Sequence, residues 1–283
     1  MENSVMAAES QYDVLVAIQR AHFDLASKLD VRQFRIQAAT SVLAVAALLV
    51  PSGRWDFIAA LLPLVMAGMW FWARISCRDH RALAEKARRA TLLIGGLGLR
   101  LSGNEMGRLY LLSGLPPSEL ARWSDPAYFA TQEAPGVARA AAMLEESAFW
   151  TANLMRASAD AVRNRLLLFG ASLVLCFLIS LGWAGHTALP AELRIFCTLA
   201  SSLVWLELLE RWQLYSNALK DIDEVLTRLD WLKRSGHRDE SDFLVALVDY
   251  NSAVESAPLL VDGIYARQKR RIEEAWKARC ATS

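Results

Sequence analysis

Apolar positions in this chain gather into long charge-free runs. Ile36 to Gly53 lies between Arg35 and Arg54 and holds 18 residues without a charge; Phe57 to Ala73 holds 17 and Leu166 to Ala191 holds 26. A helix rises about 1.5 Å per residue, so roughly 20 apolar residues cross a hydrocarbon layer about 30 Å thick. A fourth stretch, about Pro190 to Leu209, contains Glu192, Arg194 and Glu207, and is read as a span because the third needs a partner to return the chain. Core helices of a globular protein usually show apolar runs of only about 10 to 14 residues. The pattern therefore predicts an all-α membrane protein with four transmembrane helices in two hairpins, joined to a helical cytoplasmic bundle.

Outside these runs the pattern changes to helical stripes. Leu15, Ile18, Leu25 and Leu29 share one face, with His22 in the same stripe. Beyond the fourth run come Leu219, Ile222, Leu226, Leu229 and Leu232, then Phe243, Leu247, Tyr250 and Val254. Pro258 ends that helix, and Asp262 can cap a last one carrying Tyr265, Ile272 and Trp276. Between the hairpins, glycines and prolines from Gly95 to Pro135 predict a broken region, and Ile94-Gly-Gly-Leu-Gly98 reads as a flexible bend. No strand pattern of useful length occurs. The boundaries that follow are 1–35 for an N-terminal helix, 36–74 and 165–210 for the hairpins, 75–164 for the central region and 211–283 for the C-terminal helices.

Charge placement adds an orientation. Of 31 lysines and arginines only Arg54 and Arg194 fall in the short links inside the hairpins, so both termini and the central segment of this multi-pass protein are expected on the cytoplasmic side. Trp55, Trp70, Trp72, Trp183, Trp205 and Trp212 lie near the expected ends of spans, where amphipathic rings suit the headgroup layer. A net charge of +1 excludes bulk attraction to nucleic acid. The acidic N-terminal stretch, with Glu2, Glu9, Asp13 and Asp24, is unlike a cleavable signal peptide.

Chemistry-bearing motifs are scarce. No phosphate loop, His-Glu-x-x-His or nucleophile elbow occurs, so no catalytic residues, no metal ligands and no cofactor are expected, and the chain is not read as an enzyme. The four histidines are scattered singly, and Cys77, Cys176, Cys197 and Cys280 lack zinc-site spacing. Glu207, Glu210 and Arg211 at the inner end of the fourth run are candidates for a pore or gate, or for an interfacial ion pair, since a charge near lipid is expensive. Gln37, Thr40 and Ser41 form a weak polar stripe that suits close packing. Arg267-Gln-Lys-Arg-Arg271, just after Tyr265, is either a solvated basic face or a phosphate site in which Arg267, Lys269, Arg270 and Arg271 hold phosphates and Tyr265 stacks on a base.

The two-hairpin layout and the passage Asp249-Tyr-Asn-Ser-Ala-Val-Glu-Ser-Ala-Pro-Leu-Leu-Val-Asp-Gly-Ile-Tyr-Ala-Arg267 resemble the SMODS-associated four-transmembrane effector family of bacterial anti-phage defence, with Tyr250, Pro258, Asp262, Tyr265 and Arg267 carrying the likeness. Val261 and Gly263 depart from the family's proline before the aspartate and aromatic after it. The resemblance implies a cyclic oligonucleotide messenger made by a CD-NTase-type nucleotidyltransferase, assembly into a homo-oligomer in the lipid bilayer, a breached inner membrane and death of the infected cell. The alternative is a non-catalytic membrane-anchored sensor or scaffold that recruits a partner through its helices.

Overall fold

The computed structural model describes the backbone at 2–49, 56–183, 191–235 and 240–282, and the side chains of 11–41, 43, 61–172, 174, 175, 178, 206–234 and 240–281. Among these residues there are eight helices and no strand: α1 (Glu2–Leu49), α2 (Asp56–Leu97), α3 (Gly103–Ser113), α4 (Pro117–Trp123), α5 (Val137–Trp183), α6 (Ala191–Ser235), α7 (Glu240–Ser256) and α8 (Ile264–Thr282). The all-helical expectation holds.

The reading of four transmembrane helices, and with it a multi-pass place in the inner membrane, is corrected: among the described residues no helix is long and apolar enough to cross a membrane. Crossing takes about 20 apolar residues. In α2 the charge-free run, Phe57 to Ala73, holds 17 residues and ends at Arg74, and α6 carries Glu192, Arg194 and Glu207 along its apolar stretch. Both helices then continue for many residues as charged, packed surface. Much of the expected first, third and fourth spans, including 44–60 and 179–205, lies outside the described side chains.

Four long helices make the frame. α1 and α2 run antiparallel, with contacts at His22 to His80, Ala26 to Cys77 and Gln33 to Ala73. Alanines let these backbones approach: Ala17, Ala21 and Ala26 on one side and Ala73, Ala84 and Ala87 on the other are all buried. The buried stripe of α1 is accordingly Leu15, Ile18, His22, Ala26 and Gln33, whereas Leu25 is exposed. Small side chains at the seam replaced the larger leucines expected there.

Gly95 and Gly96 lie inside α2 and are not a bend. A Cβ on Gly96 meets the Ala140 Cα at 2.6 Å and one on Gly95 meets the Tyr12 ring at 2.7 Å, so these glycines dock α2 against α5 and α1. The turn comes at Gly98, in the left-handed region at φ 71°. The region 95–135 then forms α3, capped by the Ser102 hydroxyl accepting from the Glu105 amide, and α4, opened by Pro116 and Pro117; both pack on α1.

The larger core joins α5, α6 and α7, with Met143, Leu144, Tyr215, Ile222, Phe243 and Tyr250 buried at its centre. Of the stripe expected on α6, Ile222, Leu229 and Leu232 are buried, along with Tyr215 and Val225. α8 lies against α5 through Leu154, Ile264 and Ile272.

Candidate ligand face and coupling network

The passage from Asp249 to Arg267 is a clasp. Tyr250 is fully buried, and its hydroxyl hydrogen-bonds the Ser147 hydroxyl at 2.8 Å and the Thr151 hydroxyl at 2.9 Å. The Arg88 guanidinium lies 5.0 Å from its ring centroid, donates to Asn251 Oδ1 at 3.2 Å and pairs with Glu85 at 2.8 Å. Burial pushes the Glu85 carboxyl above its ordinary range, against the pull of Arg88 and Arg81. The end of α7 leaves carbonyls without helical partners. Arg81 of α2 supplies the donor: its Nη2 serves the carbonyls of Val254 (3.1 Å), Glu255 (3.0 Å) and Ala257. Tyr215 of α6 donates to the Leu259 carbonyl, and the Val261 amide donates to Ser158 Oγ of α5 at 3.3 Å. Pro258 thus sits in a loop held by all three of α2, α5 and α6.

Beyond the clasp, the structure divides the expected ligand residues. Tyr265 is 52% exposed, and its ring lies 6.1 Å from that of Trp150 at 30°. At 100° per residue, Lys269 follows Tyr265 on nearly the same face, while Arg267, Arg270 and Arg271 fall on the far side. Arg267 turns back to the carbonyls of Gly263 (3.2 Å) and Asp262 (3.5 Å). Lys269 pairs with Glu273 at 3.7 Å and Arg270 with Glu274 at 2.9 Å, and Arg271 is exposed. Tyr265 and Lys269 are brought together; the three arginines make a separate outer edge.

Glu207 and Arg211 belong to a network that reaches α1. Arg211 forms a two-pronged bond to Asp30, 3.0 Å on each arm, and lies 3.4 Å from Glu207, which accepts from Gln37 Nε2 at 2.6 Å. Burial alone disfavours the Arg211 cation, but the hydrogen bonds and charge of Asp30, with Glu207, outweigh it and raise its pKa. Glu210 is exposed. Asp30 was missed in the sequence; Asp30, Gln33 and Gln37, spaced three and four apart, form the polar stripe that could have found it. Thr40 and Ser41 instead bond back to the carbonyls of Ile36 and Gln37. At the other end, Arg279 of α8 bonds Glu145 of α5 at 2.9 Å and Asp230 of α6 at 2.7 Å.

Two further surface features accompany these. An open groove of about 660 Å³ on α6 is lined by Lys220, Asp223, Glu224, Thr227, Arg228 and Trp231. Large apolar side chains stand uncovered on α2 and α5, among them Leu64 (69% exposed), Phe71 (60%), Trp72 (58%) and Leu168 (72%). Among the described residues no group of three or more His, Cys, Asp or Glu could hold a metal ion.

No family model matches the chain, and neither a curated protein nor a solved structure matches it.

Proposed function

We propose that this chain is a non-catalytic effector of a bacterial cyclic-oligonucleotide anti-phage system, in which a messenger from a partner nucleotidyltransferase drives it into a homo-oligomer. The observation that carries the reading is the position of Tyr265: an exposed ring steadied by Trp150, with Lys269 beside it, on the helix that leaves the clasp of α2, α5 and α6. A base stacked on Tyr265 with a phosphate near Lys269 uses ordinary nucleotide chemistry. Arg267, Arg270 and Arg271, on the other side of α8, add basic charge to the helix without reaching the Tyr265 face. Ligand bound there acts on the start of α8, and through the clasp on three long helices. The uncovered apolar side chains of α2 and α5 support assembly, since exposed apolar surface of this kind marks interaction sites. To move from nearly all resting to nearly all assembled, the messenger must favour the assembled state by about 5.5 kcal/mol, part of which contacts between copies supply.

Calorimetric titration of the full chain with a panel of cyclic di- and trinucleotides tests the proposal. Binding by at least one ligand, weakened at least tenfold in Tyr265→Ala, supports it; no binding across the panel overturns it.

A second reading is favoured by the α6 groove, where Trp231 is 58% exposed at the end of a lane of mixed charge. On that reading the chain is a scaffold that recruits a protein partner along α6. Loss of a co-purifying protein in Trp231→Ser, with no nucleotide binding by the wild type, would favour it.

A further inference from the structure

We propose that His22 and His80 form an acid-sensitive latch between α1 and α2, closed while the two rings share a single proton at their contact and opened by a second. The two Nδ1 atoms face each other at 2.9 Å, with ring centroids 5.0 Å apart. At that distance one Nδ1 must carry hydrogen and the other must present its lone pair. His22 is 1% exposed, at the centre of the α1 stripe. Neither histidine was paired in the sequence, where they stand 58 positions apart.

The surroundings decide what protons do there. From α2 the facing titratable group is His80; the thiol of Cys77, one turn away, is given to the Ala26 carbonyl at 3.4 Å. From α3 the contact is the Ser113 backbone, which favours a proton on His22. On α1 itself Asp24 is engaged with Lys28 at 2.7 Å and Arg20 with Asp125 at 3.2 Å, so neither carboxylate is turned to the pair. Burial first, and then His80, push the His22 pKa below its ordinary value.

One Nδ1 donates at the contact and the other accepts. A second proton there, on the Nδ1 that accepts, removes the lone pair the bond needs and sets two donors face to face in a buried seam. The sign follows. The unfolded imidazole binds protons more readily than the folded His22, so stability is full above the ordinary value near 6.5 and is lost as pH falls below it. Because the pair sits where α1 meets both α2 and the end of α3, opening is expected to spread along 13–29 and 73–90 and leave the α5 to α7 core closed.

Amide hydrogen exchange read by mass spectrometry, at pH 7.5, 6.5, 5.5 and 5.0 and corrected for intrinsic rates, tests the latch on the full chain. Wild type should lose protection at 13–29 and 73–90 by up to about tenfold for each pH unit between the ordinary imidazole value near 6.5 and the lower folded His22 value, levelling off below that, with core peptides unchanged. His80→Gln, whose amide keeps a hydrogen-bonding group at the contact and cannot become a cation, should lessen that loss to the part that burial of His22 alone causes. Equal acid dependence in wild type and His80→Gln, or none in wild type, overturns the proposal. Should His80→Gln fail to fold, imidazole ¹⁵N shifts of wild type decide: one ring must titrate below the ordinary value near 6.5, and two rings titrating together near 6.5 overturn it.

Discussion

Removing the bond between Arg211 and Asp30 should detach α1 from α6, and its cost follows from the geometry. Both arms measure 3.0 Å, with the side chains 25% and 22% exposed, so this pair is mostly desolvated but still reached by water. A hydrogen bond to a charged group contributes about 1.5–3 kcal/mol, and breaking a fully buried pair costs about 3–5. Partial exposure puts Asp30→Ala at about 2 kcal/mol, because Arg211 retains Glu207 at 3.4 Å as a second partner. Arg211→Met strands two carboxylates and should cost about 3 kcal/mol. Urea unfolding of wild type, both single variants and the double variant gives the coupling directly, expected at about 1.5–2 kcal/mol. A coupling below about 0.5 kcal/mol, the level at which independent sites add, refutes the reasoning. So does an Asp30→Ala variant less stable than Arg211→Met, since the two-carboxylate arrangement demands the opposite order.

Three more outcomes follow from other elements. Gly96→Ala should destabilise the chain by about 1–3 kcal/mol in urea unfolding, although the same change in an open helix stabilises by about 1, because the new Cβ meets the Ala140 backbone. Tyr250→Phe should cost about 1–2 kcal/mol by leaving Ser147 and Thr151 short of a buried partner, and a scanning calorimetry midpoint equal to wild type would count against the clasp. Burial raises the Glu146 carboxyl, opposed by its bond from the Ala130 amide, so the folded chain keeps that proton to higher pH than the unfolded chain. That contribution is present below the ordinary carboxyl value and is lost as pH rises through the folded one. Glu146→Gln, which keeps an acceptor for Ala130, should therefore be more stable than wild type at pH 8 and indistinguishable at pH 4.

Periodicity carried the helices well where one face meets a deep core. Phe243, Leu247 and Tyr250 read as a stripe on α7 and are buried together. It failed where packing relies on what is small or polar. The α1 to α2 seam is built of alanines with His22 and Gln33, which a scan for large apolar side chains passes over. Gly95 and Gly96 looked like breakers because helix propensity disfavours glycine; their role is to admit a neighbouring backbone, a property of the partner helix. Long apolar runs suggested membrane spans, whereas among the described residues no helix is long and apolar enough to cross a membrane; most of the first, third and fourth runs lies outside the described side chains. For the candidate site, the sequence put Tyr265 and four cations within seven residues, yet a helix turns 100° per residue and sends the arginines away from the ring. His22 to His80 and Asp30 to Arg211 join positions 58 and 181 apart, and no local pattern encodes such pairings.

The central claim is that a cyclic oligonucleotide assembles this chain, and mass photometry of the full chain at fixed concentration, with and without each member of a cyclic di- and trinucleotide panel, tests it most directly. The account predicts a shift to a multiple of the 31.5 kDa chain mass with at least one messenger, and none in Tyr265→Ala at the same ligand concentration. An unchanged mass distribution across the panel, or a shift that Tyr265→Ala retains in full, contradicts it.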